Sequence, residues 1–287
     1  MLKINIDRTG YKMQELICWN NGTYKPLGEV TLSILDFGFI HSDATYDVMK
    51  TSNSKILFFD KHLTRYTNSC NYFGFSPVED IESIVQELLA VNNITDAFVW
   101  VCNWRGTPPS GSPRDMSGPD NRVVYVKPYY GIKDSSITLG IHTKNTRTPD
   151  TVVSQKFKNF GWIELTQAQK YADNNQFDSA IVLDDNRFIC EGPGFGICFV
   201  SNNTVITPMQ NCLDSVTIQV VNDVCNGLNI PFVRKNITVE EALDADECFI
   251  CSTSGGITPV SSIEWHSGYK TELTNKLIKE FKQHETN

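Results

Sequence analysis

Apolar residues recur along the chain in short alternating runs and in helical spacing, and both kinds appear in each half. Ile17-Cys18-Trp19 leads into Asn20-Asn21-Gly22, a hairpin-type turn. Residues 29–35 alternate and predict a strand. Residues 44–50 and 56–59 predict paired strands about Ser52-Asn53-Ser54. Asp60 is placed to cap a helix containing His62, Leu63 and Arg65. Ile81, Ile84, Val85, Leu88 and Leu89 give residues 77–90 a helical stripe. Residues 97–103 and 122–126 predict strands, separated by a Gly-, Pro- and Ser-rich loop over 106–120, a length that marks function or mobility. Beyond Lys127-Pro128-Tyr129-Tyr130-Gly131 the alternation resumes. Strands are expected at 136–142, 179–183, 197–200, 205–207, 231–234 and 247–252, and helices at 162–174, 215–226 and 239–245. Mixed elements in both halves predict an α/β (α+β) protein of two domains, 1–126 and 134–287, joined by a connector at 127–133.

Composition narrows the class. In 287 residues, 40% are hydrophobic and 20% charged, enough to bury a sizeable core. A net charge of −8 without a basic run disfavours nucleic acid and anionic membrane as partners. No apolar stretch approaches the roughly 18 residues of a spanning helix, and Met1 to Arg8 carries no signal-peptide core. Nine cysteines are an odd number, and Cys198, Cys248 and Cys251 sit in apolar runs. They are expected to be reduced core thiols of a cytoplasmic protein. No metal site is expected.

Several residues could carry chemistry, each weak alone. Lys158 lies among aromatics in Phe157-Lys158-Asn159-Phe160-Gly161-Trp162. Desolvation there would free its amine to form an imine, although in isolation it reads as a surface lysine. Glu191 stands between apolar segments and is followed by Gly192-Pro193-Gly194. A buried acid needs a partner, and a protonated pyridine nitrogen would serve; an exposed Glu at a bulge is the plainer reading. Leu213-Asp214-Ser215-Val216-Thr217 opens a helix whose free N–H groups suit a phosphate, or is an ordinary cap. Cys251-Ser252-Thr253-Ser254-Gly255-Gly256 offers hydroxyl and N–H donors at a strand end, and Arg65 could reach a phosphate. In this order the set describes a pyridoxal 5′-phosphate site.

With these residues the chain resembles the class IV (fold type IV) aminotransferases. That family includes branched-chain and D-amino-acid aminotransferases, (R)-selective amine transaminases and aminodeoxychorismate lyase. Matching segments run from Trp19-Asn20-Asn21-Gly22 through Asp36-Phe37-Gly38, Asp43-Ala44-Thr45-Tyr46-Asp47-Val48 and His62-Leu63-Thr64-Arg65, then Phe177-Asp178-Ser179-Ala180, Glu191-Gly192, Ala245-Asp246-Glu247 and Ile257-Thr258-Pro259-Val260. The resemblance implies a two-domain D-amino-acid-aminotransferase-like fold with its active site between the domains, and a homodimer. It implies Lys158 as the Schiff-base lysine and proton shuttle, with Lys156 as the competing lysine. It implies Glu191 on the pyridine nitrogen, phosphate held by Arg65, Thr253 and the N–H groups of Val216 and Thr217, with Ser252 nearby, and Trp162 beside the cofactor. Two positions depart from the commoner family pattern: Gly196 stands where many relatives carry Asn, and Ile218 where the Arg of the commoner Gly-Ile-Thr-Arg would be.

The substrate pocket is expected to draw on His41, Tyr46, Val48, Lys50, Phe98, Trp100, Ser254 and Gly255. Arg105 or Arg114 would clamp a substrate carboxylate. Tyr46, Val48 and Lys50 look similar to D-amino-acid aminotransferases, and Phe98-Val99-Trp100 replaces the Tyr-x-Arg strand of branched-chain enzymes. The expected reaction moves the amino group of a D-amino acid, with (R)-amines as further donors, to a 2-oxo acid acceptor. A branched-chain L-amino-acid aminotransferase or an aminodeoxychorismate-lyase-like enzyme is the alternative.

Overall fold

Positive φ at Asn21 (48°) and Gly22 (89°) closes a two-residue turn. The flanking segments pair as β1 (Ile17–Asn20) and β2 (Thr23–Pro26). Asparagine and glycine tolerate this left-handed backbone, so the hairpin forms where the dipeptide stands. Asn53 and Ser54, at 49° and 65°, likewise join β3 (Ala44–Ser52) to β4 (Lys55–Ile56). The structure, a computed structural model, describes residues 12–131 and 135–286. The first eleven residues of the expected first domain, the end of the expected connector and residue 134 lie outside the described residues.

The chain divides into two units. The N-terminal unit holds residues 12–130 together with Phe157–Gly161; the C-terminal unit holds the rest. The division thus falls after Tyr130, inside the expected connector. The segment around Lys158, expected in the second domain, belongs with the first unit.

The N-terminal unit continues with α1 (Phe37–Ile40), α2 (Phe59–Phe73), α3 (Ile81–Val91), β5 (Ala97–Arg105) and β6 (Asp120–Pro128). Its six strands form an antiparallel sheet in the order β2-β1-β6-β5-β3-β4. Alternation gives the sheet two unlike faces. On one, Met49, Val99, Val101, Val124 and Val126 are fully buried against Tyr66, Cys70, Val85 and Leu88 of the helices. Each such burial contributes about 1.5–3 kcal/mol. On the other face Val48, Lys50, Phe98 and Trp100 stay half-buried. Helix α2 buries His62, Arg65, Tyr66, Ser69 and Cys70, a stripe at helical spacing.

Two expectations in this unit are corrected. Residues 29–35 form no strand: a 3-10 turn covers Leu27–Glu29, and the chain then folds back on Ser33 and Asp36, with Ser33 N–H donating to Asp36 Oδ2 at 3.1 Å. The alternation of Val30, Leu32 and Ile34 has no strand to pair with. Asp60 is not the cap of α2 either. Phe58, at φ 53°, holds that place and accepts the N–H of His62, leaving Asp60 in the first turn.

The C-terminal unit contains β7 (Ile137–His142), α4 (Ile163–Asn175), β8 (Ser179–Leu183), β9 (Ile189–Glu191), β10 (Gly196–Ser201) and β11 (Thr204–Pro208). It continues with α5 (Val216–Gly227), β12 (Phe232–Lys235), α6 (Val239–Leu243), β13 (Glu247–Ser252), β14 (Gly256–Ile263), β15 (His266–Ser267) and α7 (Glu272–Thr286). The strand order is β12-β11-β10-β13-β14-β7-β8-β9, with β15 on β14. Strand β14 and helix α7 were not foreseen. Pro259 argues against a central strand; β14 accommodates it beside a register shift between Val260 and Ser262. Helix α7 is capped from a distance by Glu247, whose carboxylate accepts from the N–H groups of Leu273 and Thr274 at 2.8 and 2.7 Å.

All nine cysteines are unpaired thiols, and all but Cys212 are buried. Cys248 and Cys251 have the C-x-x-C spacing of redox and metal sites. Both are fully buried in β13, where burial pushes their thiols up, so the pair is core.

Candidate active site

Lys158 is held by its backbone. Its N–H donates to Ser69 Oγ at 3.1 Å, and its carbonyl accepts from Thr45 Oγ1 at 2.6 Å. Ser69 in turn donates to the Arg65 carbonyl at 2.9 Å, so α2 and β3 together grip the segment. Aromatic neighbours complete the clamp: Phe157 stacks on Tyr72 with centroids 4.3 Å apart, and Phe160 lies 4.4 Å from Tyr46. Lys158 is half-buried, its Nζ 4.6 Å from the centroid of the Tyr46 ring. Lys156 is exposed.

Tyr46, Val48 and Lys50 point to one side of β3, and the register sets Trp100 opposite Val48 and Phe98 opposite Lys50. Tyr46 stacks on Trp100 at 5.3 Å, and Trp100 on Tyr125 at 6.0 Å. Lys50 Nζ stands 5.4 Å over Tyr129. Five of the expected pocket residues therefore share one aromatic face, with the Lys158 amine over its end. His41 lies apart from them in sequence, at the C-cap of α1, exposed and 4.4 Å from the Phe37 ring.

Asp47, between Tyr46 and Val48, faces the other way and is fully buried. Its Oδ2 accepts from Arg65 Nε at 2.7 Å and its Oδ1 from Arg65 Nη2 at 2.8 Å, a bidentate fork. His62 Nδ1 donates to the same Oδ1 at 2.8 Å. Burial alone would raise the Asp47 carboxyl; the Arg65 guanidinium and His62 outweigh it and hold the acid far below the usual carboxylate range. Burial lowers the His62 imidazole, Asp47 opposes this, and the Arg65 and Lys158 charges add to the lowering, so His62 is neutral. Two arms of the expected phosphate ligand Arg65 are thus committed to Asp47.

Of the two arginines expected to clamp a carboxylate, Arg105 is built into the N-terminal unit. Its Nε donates to Asp43 at 2.7 Å, its Nη2 to the Phe73 carbonyl at 3.4 Å, and its guanidinium covers the Phe75 ring at 4.8 Å. These contacts tie Arg105 into the N-terminal unit. Arg114 is exposed on the 106–119 loop, and its guanidinium has no partner among the described residues.

In the C-terminal unit Glu191 ends β9, buried. Its Oε1 accepts from Arg147 Nε at 2.8 Å and its Oε2 from the Leu213 N–H at 3.1 Å, which ties it to the approach of α5. Arg147 also donates through Nη1 to Glu164. Burial works against the Arg147 charge, but the two carboxylates raise its pKa beyond the ordinary guanidinium value. Asp150 accepts the Gln155 and Asn211 N–H groups at 2.6 and 2.8 Å and steadies the same approach.

Ser215 caps α5 by accepting the Ile218 N–H at 3.3 Å. The N–H groups of Val216 and Thr217 are buried and have no partner among the described residues. Gly196 in β10 pairs with Cys251 in register, and a Cβ placed on it would lie 2.5 Å from Ile218 Cδ1. Gly196 and Ile218 therefore face each other, the glycine making room for the isoleucine. At the β13–β14 turn Ser252 Oγ meets Ser254 Oγ at 3.0 Å and accepts the Gly255 N–H at 3.0 Å; Thr253 is half-buried. Trp162, the N-cap of α4, lies 3.7 Å from where a Cβ on Gly194 would be. Glu191, Trp162 and the α5 N-terminus thus come to one edge of this unit.

Asp47, His62, Arg147 and Glu164 were missed as candidates. The requirement that a buried acid have a partner would have asked for a cation beside Glu191, and Arg147, alone in the polar stretch Asn145-Thr146-Arg147-Thr148-Pro149, was available to answer it.

Lys158, half-buried among aromatics, stands in the N-terminal unit, while Glu191 at its glycine-rich bend and the open N-terminus of α5 stand in the C-terminal unit. The chain matches the family described as amino-transferase class IV over residues 44–263, and it belongs to that family. It is 26% identical over 271 residues to a putative branched-chain-amino-acid aminotransferase of Methanocaldococcus jannaschii, covering 91% of this chain and 94% of that protein. It is 26% identical over 261 residues to a D-alanine aminotransferase of Staphylococcus haemolyticus, covering 85% and 88%. Its fold is similar to that of a branched-chain aminotransferase from Thermoproteus uzoniensis, with a TM-score of 0.87, 20% identity and coverage of 93% and 94%. The protein is an aminotransferase of fold type IV, and the cofactor of its family is pyridoxal 5′-phosphate.

The residues present fit that cofactor. Two partnerless buried N–H groups at the start of a twelve-residue helix suit its phosphate, and the carboxylate of Glu191 suits a protonated ring nitrogen. Among the described residues no cluster of His, Cys, Asp and Glu could hold a metal ion, and no helix is long and apolar enough to cross a membrane.

Proposed function

We propose that this aminotransferase takes the amino group of a D-amino acid, and of (R)-primary amines, and delivers it to a 2-oxo acid. When bound, the cofactor supplies an aldehyde that exchanges amines and a ring that withdraws electrons. Lys158 would hold it through Nζ and would move the proton to and from the substrate carbon. Glu191 would accept the N–H of a protonated ring nitrogen. Val216, Thr217, Ser252, Thr253 and Arg65 would hold the phosphate, and Trp162 would pack beside the ring. His41, Tyr46, Val48, Lys50, Phe98 and Trp100 shape the pocket, with Ser254 and Gly255 at its donor turn.

One observation carries the D-amino-acid reading. The site face of β5 offers Phe98 and Trp100, whereas Arg114 is exposed on the 106–119 loop and its guanidinium has no partner among the described residues. A substrate carboxylate is then drawn toward that loop. The apolar face of Val48, Phe98 and Trp100 supports a second reading, a branched-chain L-amino-acid donor. The loaded enzyme is mixed separately with D-alanine and L-leucine, and loss of the bound-aldehyde absorbance is followed. D-alanine is expected to bleach it and yield pyruvate, and Lys158→Ala to lose at least about a thousandfold of the transamination rate. Bleaching by L-leucine without pyruvate from D-alanine selects the second reading.

A homodimer is supported by the exposed apolar residues Leu32, Ile34, Leu35, Phe39 and Ile40, which are 48–74% accessible. A cytoplasmic setting is supported by nine unpaired thiols.

A further inference from the structure

The Glu191 cluster is one positive charge short. Glu164, Arg147 and Glu191 are each about 5% accessible, and one guanidinium serves two carboxylates. Among the described residues no second cation is paired with either carboxylate. Asp184 is buried and adds a further acid, satisfied by the N–H groups of Asn186 and Phe188 and by the Asn211 side chain. Asp150 adds another. Arg234, partly exposed, lies 3.8 Å from Asp214 instead. An unbalanced buried anion is costly unless a cation completes it.

We propose that Glu164 is a positioning residue that sets the charge at Glu191. By drawing Arg147 toward itself it leaves Glu191 under-neutralised, and the cation that completes the cluster is the protonated ring nitrogen of the cofactor. This rests on Glu191 being the ring-nitrogen partner. Among the described residues Glu164 accepts hydrogen bonds from Arg147 and from the Thr148 N–H, the latter at 3.3 Å. Without its charge, Arg147 belongs wholly to Glu191, and the pull on the ring proton weakens.

The test is Glu164→Gln, which keeps the shape and the acceptor oxygen. Three quantities are measured: melting of the cofactor-free protein, cofactor Kd by equilibrium dialysis, and the ring-nitrogen resonance of ¹⁵N-labelled pyridoxal phosphate on the enzyme. The cofactor-free variant is expected to melt higher, since excess buried charge is gone. Its Kd is expected to rise about fivefold, and the resonance to move toward that of neutral pyridine. Glu164→Asp keeps the charge and should match the wild-type resonance. A lower melting temperature with unchanged Kd and resonance in Glu164→Gln overturns the proposal and makes the triad a plain structural ion pair. A neutral ring nitrogen in the wild-type enzyme overturns the assignment of Glu191 itself.

Discussion

Each unit buries an arginine against carboxylate, and the two arrangements differ in their charge balance. In the N-terminal unit Arg65 spends a two-toothed fork on one acid, Asp47, and His62 attaches as a neutral imidazole. The charges cancel, and every oxygen of Asp47 has a donor. In the C-terminal unit Arg147 is divided between Glu164 and Glu191. The first cluster is balanced as folded; the second holds two carboxylates to one guanidinium. A buried ion pair therefore does not by itself mark structure or function. The ratio of charges separates the two, because a low-dielectric interior tolerates a balanced pair far better than an excess.

The largest test of this distinction is a pair of neutralisations in the cofactor-free protein. Asp47→Asn leaves Arg65 buried without a counter-charge and should cost about 3–5 kcal/mol in urea unfolding. Glu191→Gln removes surplus charge and should change stability by no more than about 1 kcal/mol, in either direction. A comparable large loss in both would erase the difference.

A smaller effect is expected at Arg105, whose pairing with Asp43 is balanced like that of Arg65 but nearer the surface. Arg105→Met should cost about 1–3 kcal/mol and leave the KM for the amino donor unchanged. A rise in KM without loss of stability would place Arg105 on the substrate.

The smallest effect is a pH dependence. The folded His62 resists protonation that the unfolded chain accepts at the ordinary imidazole value of about 6.5. Stability should therefore decline as pH falls from about 6.5, by at most about 1.4 kcal/mol per pH unit from this group. Asp47, held far below its usual range, adds a further loss below about pH 4, where the unfolded carboxylate takes up its proton. His62→Gln should flatten the first decline; a profile unchanged in that variant would show that His62 does not control it.

Elements with strong local signals were legible. The Asn21-Gly22 turn, the helical stripe from Ile81 to Leu89 and the alternating strands at 97–103 and 179–183 stand within a few residues of their expected limits. Residues 29–35 misled because alternation records only that a strand is affordable, whereas a strand also needs a partner edge. Strand β14 was hidden by Pro259, whose lost donor is absorbed at an irregular register that only the assembled sheet supplies. In the candidate site, Lys158 and Glu191 stood out because their neighbours in sequence are unusual for a lysine and an acid. Arg147 did not, since its partners lie 17 and 44 residues away.

The chain by itself determined the kinds of element, the two mixed α/β halves and the family to which it belongs. These are written in spacings of a few residues, where local geometry and hydrophobic period act. Tertiary structure alone decided which cation serves which anion: that Arg65 belongs to Asp47, Arg105 to Asp43, and Arg147 to two acids at once. Such pairings depend on burial and on distances of about 3 Å between residues far apart in the chain, and no local pattern records them.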